Sequence, residues 1–149
     1  MARLAATPGQ VASVLGSRGA RSLAHRPAPG VWAPVEVVCH LRDVEETFGE
    51  RFAAILAMDE PALPEVGPAD RWAEERQYLR NDAAQALEAF RKRREEALIF
   101  LGKLTPEQYR RGGVHAVRGL FTIDDFVTLM AWHDDNHLDQ LKRALEGKA

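Results

Sequence analysis

Between Pro34 and Met58, six apolar residues (Val37, Leu41, Val44, Phe48, Phe52 and Ile55) recur at spacings of three and four. Only an α-helix gathers such positions on one face, so this stretch needs partners of similar length to cover its stripe. The rest of the chain supplies them, separated by proline and glycine. A first helix is expected from about Pro8 to Ala24, with Thr7 as N-cap and Pro8 in the first turn, and a short connector then runs from His25 to Pro34. Pro61, Pro64 and Pro68 bar the second helix from continuing through Asp59 to Asp70. The third helix is expected from about Trp72 or later to Lys103, with Ala83, Leu87, Phe90, Leu98 and Leu101 inward. Thr105-Pro-Glu-Gln108 has the form of a capping box, and Gly112, Gly113 and Gly119 mark a small extended excursion. The fourth helix starts at Thr122, with Asp125 three residues on, and runs to Glu146 before Gly147.

Loop length then selects a topology for an all-α four-helix bundle. The short first connector makes helices one and two antiparallel neighbours. The proline-rich link is a long crossover between helices two and three, able to return along the bundle so that both run the same way. The expected order is up-down-down-up, which puts the start of helix two and the end of helix four at one end.

Composition excludes several alternatives. A chain of 149 residues, 46% apolar and 28% charged, suits one domain over residues 1–149 whose core needs no disulfide or metal staple. A net charge of −2 argues against nucleic-acid or membrane partners, and no apolar run approaches a membrane span. The single cysteine, Cys39, excludes an internal disulfide and fits a reducing compartment, so the chain reads as soluble and cytoplasmic.

Chemistry concentrates in histidine. His133 and His137 are four residues apart, which on a helix leaves them about 40° apart in azimuth and about 6 Å apart along the axis. Phe126, Met130, Leu141 and Ala144 share that face, so both imidazoles point inward. His40 lies on the margin of the helix-two stripe, at the same end of the bundle. Burying three imidazoles without partners is costly, and a shared divalent metal removes that cost by using their lone pairs. Three nitrogen donors and a vacant position describe a catalytic rather than a structural centre.

Three segments together resemble the DinB-like superfamily of metal-binding four-helix bundles. They are Val31-Trp-Ala-Pro-Val-Glu-Val-Val-Cys-His40-Leu-Arg-Asp-Val-Glu-Glu, Gly-Leu-Phe-Thr-Ile-Asp-Asp, and Ala131-Trp-His133-Asp-Asp-Asn-His137-Leu-Asp-Gln-Leu. The resemblance implies the same up-down-down-up bundle, often a homodimer. It implies a divalent metal, commonly nickel or zinc with iron and manganese as further choices, held by one histidine of the second helix and two of the fourth. Those positions are His40, His133 and His137 here. It also implies a small-molecule substrate. A metal-dependent transferase coupling a low-molecular-weight thiol to an electrophile is the first expectation, a metal-dependent hydrolase the second, and a metal-binding protein with a stress-response role and no turnover the third.

Neighbouring residues have competing roles. Glu36, one turn before His40, and Asp43, about one turn after, are candidates for a fourth ligand, a base or an acceptor behind a ligand, although the helix dipole alone explains Glu36. Asp134 is a candidate to orient an imidazole, while Asp135 and Asp139 read as surface residues. Cys39 lies about 100° from His40 and reads as core. His115 is either a surface or a pocket residue, and His25 a helix-end cation. The run Arg91-Lys-Arg-Arg94-Glu-Glu reads as a solvated face, except that Arg94 falls near the apolar stripe and is expected to pair with a glutamate of helix two such as Glu45. A cleft is expected between the start of helix two and the end of helix four.

Overall fold

The computed structural model describes residues 1–149. In chain order its elements are α1 (Ala2–Leu15), α2 (Ala20–Leu23), α3 (Pro34–Ala57), α4 (Ala69–Glu75), a 3-10 turn (Tyr78–Arg80), α5 (Ala83–Gly102), α6 (Pro106–Tyr109), β1 (Gly112–His115), β2 (Gly119–Thr122) and α7 (Ile123–Leu145). The four long helices α1, α3, α5 and α7 form the bundle. None is long and apolar enough to cross a membrane.

Local chemistry sets most boundaries. Pro34 stands in the first turn of α3, where an amide N–H would have no helical partner, and the Glu36 carboxylate accepts the Ala33 N–H at 2.8 Å. Asp82 caps α5 by accepting from the Gln85 N–H at 2.8 Å. Thr122 and Asp125 cap α7 reciprocally, at 3.1 and 2.9 Å, and Thr105 and Gln108 do the same for α6 at 3.2 and 2.8 Å. The expected extended excursion is the antiparallel β1–β2 hairpin, which pairs Gly112 with Thr122 and His115 with Gly119.

One helix starts late within its expected range and another differs from expectation. The third begins at Ala83, because Gln77 takes a left-handed conformation (φ 49°) that breaks the preceding stretch into α4 and the 3-10 turn. The first spans Ala2–Leu15, not Pro8 to Ala24, and carries Pro8 inside it. A proline at that position removes the N–H that would bond the Leu4 carbonyl, normally a large penalty. Here the Arg94 guanidinium donates to that carbonyl at 3.0 Å instead. The helix therefore passes through its proline, and Thr7 is not a cap but a buried residue whose hydroxyl donates to Asp134 at 2.6 Å.

The core falls into two clusters, and their membership traces chain direction. One contains Val11 of α1, Val37 and Leu41 of α3, Phe90 of α5 and Leu141 of α7. The other contains Leu4, Phe52, Leu101 and Phe126 from the same four helices. From N- to C-terminus, α1 and α7 run from the second cluster to the first, while α3 and α5 run the opposite way, which is the up-down-down-up order. α3 packs on α5 and α7, and α1 packs on the same two helices, so α1 and α3 are antiparallel across the diagonal rather than neighbours. The link between them, residues 16–33, is longer than the expected connector and spans that diagonal.

Between the two clusters every long helix contributes a polar residue: Thr7, Glu45, Arg94 and Asp134, with His40 and His133 beside them. The polar layer and the hairpin next to it position the site. β1 is tied to the crossover by Val114 N–H to Pro61 O at 2.8 Å and Leu63 N–H to Val114 O at 2.9 Å. A Cβ on Gly113 would meet the Pro61 oxygen at 2.9 Å and a Leu63 methyl at 2.7 Å. Because backbone blocks it on one side, Gly113→Ala is expected to cost about 1–3 kcal/mol in urea unfolding and to loosen the crossover, read as faster amide exchange at Leu63 and Val114.

Candidate metal centre

The register of α3 and α7 brings His40, His133 and His137 together. One ring nitrogen from each can be chosen so that all three lie within 4.8 Å of one another, and the ring centroids are 4.3–5.1 Å apart. His40 Nε2 and His133 Nε2 are 3.0 Å apart. His137 Nδ1 faces the Gln140 amide oxygen at 2.7 Å, and since that oxygen can only accept, the His137 proton sits on Nδ1 and the Nε2 lone pair is free. Trp32 closes one side, its ring 5.1 Å from His40 and stacked 6.4 Å from His137, and its indole N–H donates to Asp70 at 2.9 Å. Phe48 stands edge-on to His133.

All three imidazoles are held neutral. Burial, then the proximity of His137, pulls His40 down to about 3 and His133 down to about 2. Burial lowers His137 as well, against the raising effect of Gln140. His40 Nδ1 and His133 Nδ1 are buried without hydrogen-bond partners. The neutral imidazoles and their facing Nε2 atoms fit a divalent cation. Two nitrogens bound to one cation at about 2.0–2.1 Å, with angles between 90° and tetrahedral, stand about 2.8–3.4 Å apart, and the His40–His133 separation of 3.0 Å lies in that span.

The carboxylates considered as further ligands are all engaged elsewhere. Glu36 caps α3 and pairs with Arg26 at 2.5 Å, so it belongs to the helix start. Asp43 is surrounded by Arg42 at 2.6 Å, Arg76 at 2.8 Å, Arg93 at 3.2 Å and the Tyr78 hydroxyl at 2.9 Å. Asp134 does not orient an imidazole. One residue on from His133, it turns about 100° away and accepts from Arg94 at 2.6 and 3.0 Å. Arg94 pairs with Glu45 as expected, at 2.7 and 3.0 Å. Cys39 is fully buried core, its thiol pushed up to about 12 by burial. Asp135 and Asp139 pair with Arg3 and Arg143 on the surface, and His25 is exposed just beyond α2.

Burial alone would raise the Asp43 carboxyl, but hydrogen bonds from Arg42, Arg76 and Tyr78 outweigh it and hold the group at about 2, against an ordinary 3.8. A depressed carboxylate stabilises the fold above its unfolded value, and that contribution is lost as pH falls through 3.8 toward 2. Asp43→Asn is expected to lose about 2 kcal/mol at pH 7, with the gap to wild type shrinking below pH 4. Parallel acid-limb unfolding curves check this, and a gap independent of pH would contradict it.

The opening to the site is not where helix two begins and helix four ends, because Trp32 and its connector cover that end. A cleft of about 380 Å³ instead reaches His133 from the other side. Val44, Phe48 and Arg51 of α3, Leu129 of α7, Pro64 to Val66 of the crossover and His115 to Val117 of the hairpin line it. His115 is thus a pocket residue. Arg51 was not singled out by sequence reasoning. Its signal was its spacing: eleven residues after His40, about three helical turns, keeps it on nearly the same face.

Comparison with known proteins agrees with the fold. The DinB superfamily pattern matches residues 3–141. A protein of Oceanobacillus iheyensis, OB0413, named as a candidate metal-dependent hydrolase, is 27% identical over 124 residues, covering 80% of this chain and 68% of that protein. The solved structure of YfiT from Bacillus subtilis superposes with a TM-score of 0.88 at 21% identity, covering 99% of this chain and 86% of that one. It is described as a candidate metal-dependent hydrolase with an unusual four-helix bundle topology. With the family pattern spanning all four long helices and a histidine cluster at their shared polar layer, the chain belongs to the DinB superfamily.

Proposed function

We propose that this chain is a metal-dependent hydrolase whose divalent cation is held by His40, His133 and His137. The observation carrying this reading is that three neutral imidazoles converge, two of them with Nε2 atoms 3.0 Å apart, beside a cleft that reaches one of them. A divalent cation bound there supplies Lewis-acid chemistry, polarising a carbonyl or acidifying a weak acid such as water at its open position. The names of the two relatives support hydrolysis.

The chain's own residues do the rest. Trp32 and Phe48 keep bulk water from the imidazoles on two sides, which strengthens electrostatic interactions there. His115 accepts the Val117 N–H at its Nδ1, at 3.2 Å, so in the neutral ring its proton is on Nε2. Burial and the charges of Arg51 and Arg118 lower its pKa and keep it neutral, so it offers the cleft a hydrogen-bond donor for a substrate carbonyl or leaving group.

A second reading, transfer of a low-molecular-weight thiol, draws on one observation. Glu36, Asp43 and Asp134 are all taken up by arginines, and Glu65, the carboxylate on the cleft wall, is exposed. With few bases at hand, a thiol, more acidic than water by about seven units, needs less help to ionise. Protein prepared without a nickel column, stripped and reloaded with zinc, nickel, iron or manganese, should be assayed on ester and amide panels, then on thiols with electrophiles. Hydrolysis that depends on metal and on His133 supports the first reading. Turnover only with added thiol moves the assignment to the second, and none in either assay with metal bound refutes both.

A further inference from the structure

Six charged side chains other than histidine are buried: Glu36, Asp43, Glu45, Arg51, Arg94 and Asp134. Five are in ion pairs and Arg51 is not. It is only 7% exposed, its Nε is buried without an acceptor, and it makes no hydrogen bond or salt bridge with any part of the chain. Its guanidinium carbon lies 5.3 Å from the centre of the Phe126 ring. One cation–π contact does not replace the hydrogen bond that the buried Nε–H gives up on leaving water, while the two Nη nitrogens, which have no protein partner either, stay open to the cleft. A guanidinium is not discharged to escape that cost, so the acceptor that completes it must come from outside the chain.

Its position says what that acceptor belongs to. Arg51 lines the same cleft as His133, with Val44, Phe48 and Leu129 between them. Its Cα is about 16 Å along α3 from that of His40, and long helical side chains lean toward the N-terminus, so the guanidinium end is brought back toward the histidines. The wall between is mostly apolar, with Thr47 as its hydroxyl. The cleft holds no second lysine or arginine, and its nearest acid, Glu65, is exposed and makes no salt bridge to Arg51. A single planar cation matches a monoanion in a two-pronged contact, whereas a phosphate dianion would keep a charge uncompensated among apolar walls.

We propose that Arg51 receives a carboxylate of the substrate, making the cleft a site for an organic acid whose apolar body lies along Val44, Phe48 and Leu129 and whose reacting group sits at the histidine cluster. This rests on reading the histidines as the reacting centre, but the anion site can be tested apart from it. The probes are phenylacetate, its neutral amide and phenyl phosphate, titrated calorimetrically into metal-free protein. Phenylacetate should bind at least about tenfold more tightly than the amide, because the charge-assisted pair is lost in the amide. Arg51→Met should erase that preference, leave divalent-metal affinity unchanged and, by removing an unpaired buried charge, melt about 2–4 °C higher than wild type without ligand. Equal binding of acid and amide, no binding of either, tighter binding of phenyl phosphate, or a lower melting temperature in Arg51→Met would each overturn the assignment. Acid preference in a protein that fails to bind metal would uphold Arg51 and refute the histidine reading alone.

Discussion

Arg94→Met is expected to destabilise the fold by about 3–5 kcal/mol, because it leaves two buried carboxylates facing each other without a cation. Arg94 is 1% exposed, and its fork bonds Glu45 at 2.7 and 3.0 Å and Asp134 at 2.6 and 3.0 Å. The same substitution strips the Leu4 carbonyl of the donor that makes Pro8 tolerable inside α1, so the first helix should fray first. Burial already raises the Glu45 carboxyl despite the pull of Arg94, and losing the guanidinium would push it further toward the neutral form. Arg94→Lys should recover only part of the loss, since an ammonium cannot serve two carboxylates and a carbonyl in fork geometry. Replacing Arg94, Glu45 and Asp134 together by apolar residues of similar volume should recover much of the loss, because the desolvation of all three groups disappears with the pair interactions, but not all of it, because the Leu4 carbonyl and the Thr7 hydroxyl lose their partners. Urea unfolding of the three variants checks this. A loss below about 1 kcal/mol for Arg94→Met would mean that the polar layer is hydrated and only weakly coupled to the fold.

What could be read before the structure depended on how local the cause was. α3 and α7 were legible because their stripes, Pro34 and the Thr122–Asp125 cap all lie within the segments themselves. Helical azimuth also predicted the Arg94–Glu45 pair, and the end-to-end geometry of two helices predicted the meeting of His40 with His133 and His137. The start of α1 was not legible. Its proline is offset by a side chain that is close in space but distant in sequence, so the local rule pointed to Pro8 as a beginning when the helix begins at Ala2. Asp134 was misread for a related reason: adjacency to His133 in sequence implies a separation of about 100° around the helix, which aims it at Arg94 instead of the imidazoles. The cleft was misplaced because nothing local shows that Trp32 covers one end while the hairpin and crossover leave room beside His133. Arg51 escaped notice because a lone arginine on a helix usually reads as solvated, and its lack of partners appears only once its neighbours are placed.

His137→Ala is expected to lower the affinity for a divalent metal by more than 100-fold while leaving the helical fold intact. Outer-shell changes behind a ligand cost about 10–100-fold, and removing one of three donors should exceed that. The Gln140 contact that leaves the His137 Nε2 lone pair free would go with it. Stability should change by about 1 kcal/mol or less, because two effects oppose each other. Truncation leaves space against Trp32, whose ring stacks on His137 at 6.4 Å, but it also relieves the crowding of buried imidazoles whose nitrogens have no protein partners. The apolar clusters on either side of the polar layer are packed from their own side chains, with Trp32 and Phe48 the members that touch the histidines. Calorimetric titration of metal-free protein with zinc and nickel, beside circular dichroism and urea unfolding, separates the possibilities. Lost metal binding with retained helicity identifies the histidines as a functional centre carried by a self-sufficient bundle. A variant that loses metal and helix content together would make the centre structural, and the hydrolase reading would fall with it. Undiminished metal affinity would remove His137 from the ligand set altogether.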